Sequence, residues 1–156
     1  MTDTPTPPPP TLRLAIDTAA LADNWRALDR LSGDAACGAA VKADGYGLGV
    51  TQVVPRLIDA GCRDFFVAHW SEVAGVIAHV PAEQVAVLHG PLTDADVGFA
   101  IQTGVRPVIN SLEQAGRWKA GGGGACHVMI DTGINRLGLP PEAVGDEALN
   151  GLAIEA

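Results

Sequence analysis

Five short apolar runs, centred near residues 40, 66, 87, 107 and 128, are each followed by a stretch of helical periodicity. The runs are apolar throughout rather than alternating, as strands buried on both faces are. A strand–helix rhythm of about twenty residues predicts an α/β fold on a parallel sheet covered by helices. Two architectures satisfy that rhythm, a doubly wound sheet and a (β/α)₈ barrel. A barrel typically needs roughly 250 residues, so the 156 residues here would hold only part of one.

The elements follow in order. Residues 1–11 open with a proline-rich run that reads as an extended, disordered leader, ahead of one folded unit over 12–156. Leu12, Leu14 and Ile16 alternate with Arg13 and Ala15, which predicts a half-buried strand. Asp17 or Thr18 then caps a helix whose Leu21, Trp25, Leu28 and Leu31 share a face, ended by Gly33. After the run at 38–41 come a helix with Val50, Val53, Val54, Leu57 and Ile58 on one stripe, kinked at Pro55 and stopped at Gly61. A strand at 65–68 leads to a helix at 71–80, and a strand at 85–88 to a helix capped by Thr93 that runs to Gln102. The strand at 105–109 carries Pro107, which favours a short or irregular one. Ser111 and Gln114 form a capping box for a helix that dissolves into Gly121–Gly124. Residues 128–130 predict one more strand and 140–149 a last helix, and another strand begins at the end, as in a chain cut short.

Composition excludes several classes. Apolar residues make up 47% and charged residues 18%, so most of the chain should fold. With a formal charge of −8 and ten Lys plus Arg, neither nucleic acid nor an anionic membrane is the expected partner. Cys37, Cys62 and Cys126 are far apart, odd in number and without a CxxC, which suits a reduced, cytoplasmic protein. No apolar run approaches the length of a membrane span.

In parallel α/β folds chemistry gathers where strands end. The first such place is Ala40–Val50, AVKADGYGLGV, where a small apolar strand breaks at Lys42 into a glycine-rich loop. A lysine there either reaches solvent or is an amine held in a dry pocket, able to act as a nucleophile. His69, His89 and Asn110 follow later strands, and the loop Asp131–Arg136 ends in a forked cation suited to a carboxylate or phenolate.

The segments AVKADGYGLG and MIDTGINRLGL resemble the paired signatures of the alanine racemase family, and FFVAHWSEV and VRPVINSLEQ lie between them in family-like order. The resemblance covers most of 12–139. It implies an N-terminal (β/α)₈ barrel of the TIM type, here about five β/α units, without the family's C-terminal β domain. It further implies pyridoxal 5'-phosphate as cofactor, alanine as substrate, a homodimer, and interconversion of L- and D-alanine for peptidoglycan. Lys42 matches the Schiff-base lysine and the base on the D-alanine side. Tyr46 matches the tyrosine that hydrogen-bonds the cofactor phosphate, and Arg136 the arginine near the cofactor's phenolic oxygen and the substrate carboxylate.

Two departures stand out. Met129 occupies the position where many relatives carry a carbamylated lysine that orients the arginine, so Arg136 must be oriented otherwise. Tyr46 is the only tyrosine, and the resemblance assigns the opposite-face base to the partner subunit's C-terminal domain. A racemase needs bases on both faces of the α-carbon, and a five-strand arc leaves an unpaired edge. The isolated chain is therefore expected to fold poorly, aggregate or self-associate, and to be inactive. Two rival readings are a non-catalytic pyridoxal phosphate-binding or homeostasis barrel, and a metal-dependent hydrolase using His69, His89 and Asp131. The series Gly45, Gly47, Gly49 places its third glycine too early for a dinucleotide fingerprint, and Gly121–Gly124 lacks the lysine and hydroxyl of a P-loop. Trp25, Trp70 and Trp118 read as packing residues, and Asp17, Asp94 and Asp96 as helix-start acids.

Overall fold

The computed structural model describes residues 11–12 and 14–156. Its elements are α1 (Thr18–Ser32), β1 (Ala39–Ala40), α2 (Lys42–Tyr46), α3 (Val50–Ala60), β2 (Phe65–Val67), α4 (Val73–Ile77), β3 (Val85–Val87), α5 (Asp94–Thr103), β4 (Arg106–Ile109), α6 (Leu112–Ala120), β5 (Ala125–Val128) and β6 (Ala153–Ile154). The strands form one six-stranded sheet in the order β1-β2-β3-β4-β5-β6, and every neighbouring pair is parallel. A doubly wound sheet reverses its strand order at a switch point. Here the order never reverses, which is the topology of an arc of a (β/α)₈ barrel.

The core lies between the sheet's outer face and its helices. Phe65, Val67 and Val85 meet Val53, Val54, Leu57, Val73 and Val76 in one buried cluster, and Ile109 and Cys126 meet Val97, Ala115 and Trp118 in a second. The other face is less covered than apolar strands predict: Gly38, Phe66, Leu88, Val108, Val128 and Met129 line an open apolar groove on it. Among the described residues no helix is long and apolar enough to cross a membrane.

Caps follow the sequence closely. Asp17 accepts from the Ala20 amide, Thr93 from Asp96 and Ser111 from Gln114, while left-handed glycines close α3 at Gly61 and α5 at Gly104. Asp94 and Asp96 sit in the first turn of α5, as expected of helix-start acids, and α3 runs unbroken through Pro55.

Other expectations need correction. The leader expected over 1–11 falls, save for Thr11, outside the described residues. No strand forms around 12–16 among the described residues, and Leu12 and Leu14 are exposed. Alternation alone does not make a strand, which needs a neighbour to take its amides and carbonyls. Leu28 and Leu31 are also exposed, because α1 buries its face through Trp25, with Leu21 alongside. The fifth strand is Ala125–Val128, three residues earlier than its apolar signal, and Ile130 instead bridges Leu139. The helix expected at 71–80 shortens to a 3₁₀ turn and α4, and that at 140–149 becomes two 3₁₀ turns, Pro141–Gly145 and Glu147–Leu149. Extended backbone at Asp146 separates those two turns, and Asp146 caps the second.

Candidate active site

The carboxyl ends of the strands bring the chemistry together. Lys42 follows β1 directly, and the chain there winds the wrong way: Ala43, Asp44, Gly45 and Tyr46 have φ of 50°, 53°, 63° and 56°. L-residues rarely occupy that region, so a left-handed turn with three side chains survives only where its surroundings enforce it. Gly45 donates to Val41 (2.9 Å), Gly47 to Ala43 (2.8 Å) and Gly49 to Asp44 (2.8 Å), while the Asp44 carboxylate accepts from the Val50 amide (2.8 Å). Glu72 adds the tie from outside, accepting from the Ala43 amide at 2.6 Å. The turn lays Lys42 Nζ 5.9 Å from the centre of the Tyr46 ring, within cation–π range. Lys42 is half-buried rather than enclosed.

His69 and His89 follow β2 and β3, and their rings pack edge to face with centroids 4.2 Å apart. Burial lowers the His89 pKa, and His69, Lys42 and Arg136 push the same way against an opposing pull from Glu72. The charges of Lys42 and Arg136, 94 residues apart in sequence, thus both reach this one imidazole.

The Arg136 loop is stapled locally. Asp131 accepts from the Gly133 amide (2.9 Å) and the Asn135 amide (3.0 Å), while Asp131 donates its own amide to Leu139 (2.8 Å) and Leu139 donates to Met129 (2.8 Å). These bonds hold the Asp131 carboxyl below the usual carboxylate range. Arg136 is exposed, makes no ion pair among the described residues, and lines one pocket with Leu88, Met129 and Asp131. Met129 thus stands beside the arginine but offers it no anionic partner.

Three further residues support this mouth: Glu72 and Gln114, whose roles sequence reasoning missed, and Asn110, which it placed only at a strand end. Asn110 and Gln114 tie the ends of β3 and β4: Asn110 Nδ2 donates to Leu88 and Val108 (2.8 and 2.9 Å), its amide donates to Gln114 Oε1 (2.8 Å), and Gln114 Nε2 donates to His89 (2.8 Å). The signal for Gln114 was visible but read as a capping box, whereas its side chain serves Asn110 instead of Ser111. A metal site on His69, His89 and Asp131 lacks a basis, since no group of three or more His, Cys, Asp or Glu gathers among the described residues.

Acid should destabilise this arrangement. His89, His127, Glu72 and Asp131 all titrate below their ordinary values, His127 through burial and the nearby Arg106. A group whose folded pKa is depressed adds stability above its unfolded pKa and loses it as pH falls. Tm should therefore begin to drop below about pH 6.5, the ordinary histidine value, and continue through the carboxylate range. Thermal melts from pH 8 to pH 4 check this, and a Tm that rises from pH 7 to pH 5 would contradict it.

The comparisons agree with this geometry. A family described as "Alanine racemase, N-terminal domain" matches residues 16–154. The alanine racemase of Rhizobium meliloti is 44% identical over 134 residues, covering 83% of this chain and 35% of that protein, and that of Methylobacterium nodulans is 44% identical over 151 residues, covering 88% and 39%. A crystal structure of alanine racemase from Bartonella henselae with covalently bound pyridoxal phosphate superposes with a TM-score of 0.74 at 31% identity, covering 86% of this chain and 42% of that one. The chain thus spans between 35% and 42% of the length of these three proteins. An unreversed parallel arc, the Lys42 and Arg136 loops at one end of it, and a family match over nearly the whole described length agree: the chain belongs to the alanine racemase N-terminal domain family.

Proposed function

We propose that this chain is the cofactor-binding barrel portion of a pyridoxal phosphate-dependent alanine racemase, a cytoplasmic homodimeric isomerase that supplies D-alanine for peptidoglycan. What supports this reading is the placement of the Lys42–Tyr46 turn after β1 and of the Arg136 loop after β5, at the carboxyl ends of one unreversed parallel sheet, with Lys42 Nζ 5.9 Å from the Tyr46 ring. The donor set fits the group. An amine suits an aldehyde, a phenol suits a phosphate, and a guanidinium suits a phenolate or carboxylate.

Pyridoxal phosphate, when bound, supplies an aldehyde for amine linkage and a ring that draws electrons from an amino acid's α-carbon. Lys42 Nζ is the amine that would hold it. The same Nζ would be the group that takes a proton from the α-carbon on one face or returns one to it. Tyr46 would offer its hydroxyl to the phosphate, and Arg136 would orient the substrate carboxylate. The chain itself carries one such base, since Tyr46 is its only tyrosine and is already used. The opposite-face base is assigned, on the family resemblance, to a tyrosine of the partner subunit.

The test is sharp because the sequence has only two lysines, Lys42 and Lys119. Lys119 lies on α6 with Nζ donating to the Asn150 carbonyl (3.2 Å), away from the strand mouth. Borohydride reduction after soaking with pyridoxal phosphate, followed by peptide mapping, should label Lys42. Label on Lys119 alone, or none, overturns the assignment.

A further inference from the structure

We propose that Glu72 is a positioning residue that sets the reactive lysine by gripping the peptide bond between Lys42 and Ala43. The proposal rests on the reading of Lys42 as the cofactor-linked amine. Glu72 ends a 3₁₀ turn, Trp70–Glu72, that leaves the carboxyl end of β2. Its Oε2 accepts from the Ala68 and His69 amides at 2.7 and 2.9 Å, and its Oε1 from the Ala43 amide at 2.6 Å. One carboxylate therefore ties the ends of β1 and β2 together through three backbone N–H groups.

Capping its own turn would need only the His69 bond. The bond to Ala43 crosses 29 residues and does nothing for that turn. What it does serve is the left-handed segment, whose hydrogen bonds begin at Gly45 and leave the Ala43 amide without a partner inside the segment. Ala43, Asp44 and Tyr46 are all non-glycine residues at positive φ, so relaxation toward ordinary backbone is the default once the outside tie is cut. Relaxation would swing Lys42 and Tyr46 together, because the gripped peptide immediately follows Lys42. Three N–H donors facing one group also demand an acceptor at each oxygen. Burial alone would raise the Glu72 pKa, but these bonds and the neighbouring His69 outweigh it and hold the group ionised.

The experiment compares the protein with Glu72→Gln, Glu72→Asp and Thr93→Ala. Glutamine presents an amide N–H₂ to backbone donors at one of the two oxygen positions. Aspartate keeps the charge but is one methylene too short to serve both loops. Thr93→Ala weakens the α5 cap, far from the strand mouth, and controls for general loss of stability. Readouts are hydrogen exchange of the Ala43 amide without cofactor, affinity for pyridoxal phosphate, and borohydride labelling of Lys42. Loss of a charge-assisted bond predicts Ala43 exchange faster, and pyridoxal phosphate affinity weaker, by roughly tenfold or more in Glu72→Gln. Glu72→Asp should show both effects while staying folded, and Thr93→Ala should lower Tm with neither. Ala43 exchange and cofactor affinity unchanged in Glu72→Asp would overturn the proposal, as would equal effects in Thr93→Ala. If the unaltered protein fails to label at Lys42, the cofactor reading falls, while the exchange of Ala43 still reports on the grip.

Discussion

Lys42→Ala is expected to abolish labelling by pyridoxal phosphate and borohydride, and to slow α-proton exchange of D-alanine, the isomer whose α-proton faces this base, in heavy water by roughly 10³-fold or more. Two jobs disappear with one amine, since the same Nζ is proposed both to hold the cofactor and to carry the proton. No neighbour replaces it. His69 and His89 are close, but an imidazole forms no stable link to an aldehyde, and Lys119 is occupied on α6. Lys42→Arg separates charge from reactivity: it keeps a cation near Tyr46 and His89 yet cannot attach the cofactor. It should be as inactive as the alanine variant with a Tm closer to that of the unaltered protein. Small primary amines added to Lys42→Ala should restore part of the exchange, because a free amine can enter the half-buried space left behind. Exchange in Lys42→Arg within tenfold of the unaltered protein would remove Lys42 from the proton path.

The parts of this fold legible in sequence are those written in local chemistry. Apolar runs such as Phe65–Val67, the capping aspartate Asp17 and the closing glycines Gly61 and Gly104 act within a few residues of themselves. Pairing is not local. Leu12, Leu14 and Ile16 alternate as a strand should, but among the described residues no strand forms there. The apolar signal at Met129 and Ile130 was real but belongs to the bridge with Leu139 that closes the Arg136 loop. The strand–helix rhythm alone left a barrel and a doubly wound sheet both open; the family resemblance implied the barrel, and the strand order bears it out.

The candidate site divides the same way. Lys42 and Arg136 announce themselves because reactive or charged side chains interrupt turn-rich loops at strand ends, whereas Tyr46 was singled out only by the family resemblance. The handedness of the turn does not, since Asp44 tolerates positive φ better than most residues but Ala43 and Tyr46 do not favour it. That conformation is imposed by Glu72, 29 residues away, whose own surroundings read as an ordinary helix start. Side chains that act on backbone far away in sequence leave no periodic trace, and Glu72, Asn110 and Gln114 are all of that kind.

Gly90→Ala is expected to cost about 3 kcal/mol, combining left-handed strain with disrupted buried hydrogen bonds, and to lower Tm by roughly 10 °C. Gly90 sits at φ +66°, and a Cβ there would strike the Val108 carbonyl and come within 2.5 Å of Gln114 Oε1. Neither can yield cheaply. The Val108 carbonyl accepts from Asn110, and Gln114 links the Asn110 amide to the His89 carbonyl. The Gly90 carbonyl in turn accepts from Trp70 Nε1 at 2.9 Å, so shifting the backbone breaks a second tie. The control is Gly98→Ala in α5, where a Cβ meets nothing within 4 Å and a helix gains from losing glycine. Gly98→Ala should hold or raise stability by up to about 1 kcal/mol. Denaturant midpoints for the pair decide the matter: equal midpoints would mean that the Asn110–Gln114 tie has room to move. Because His89 hangs from the same tie and feels both Lys42 and Arg136, the cost at Gly90 should be accompanied by weaker cofactor linkage, which Gly98→Ala leaves intact.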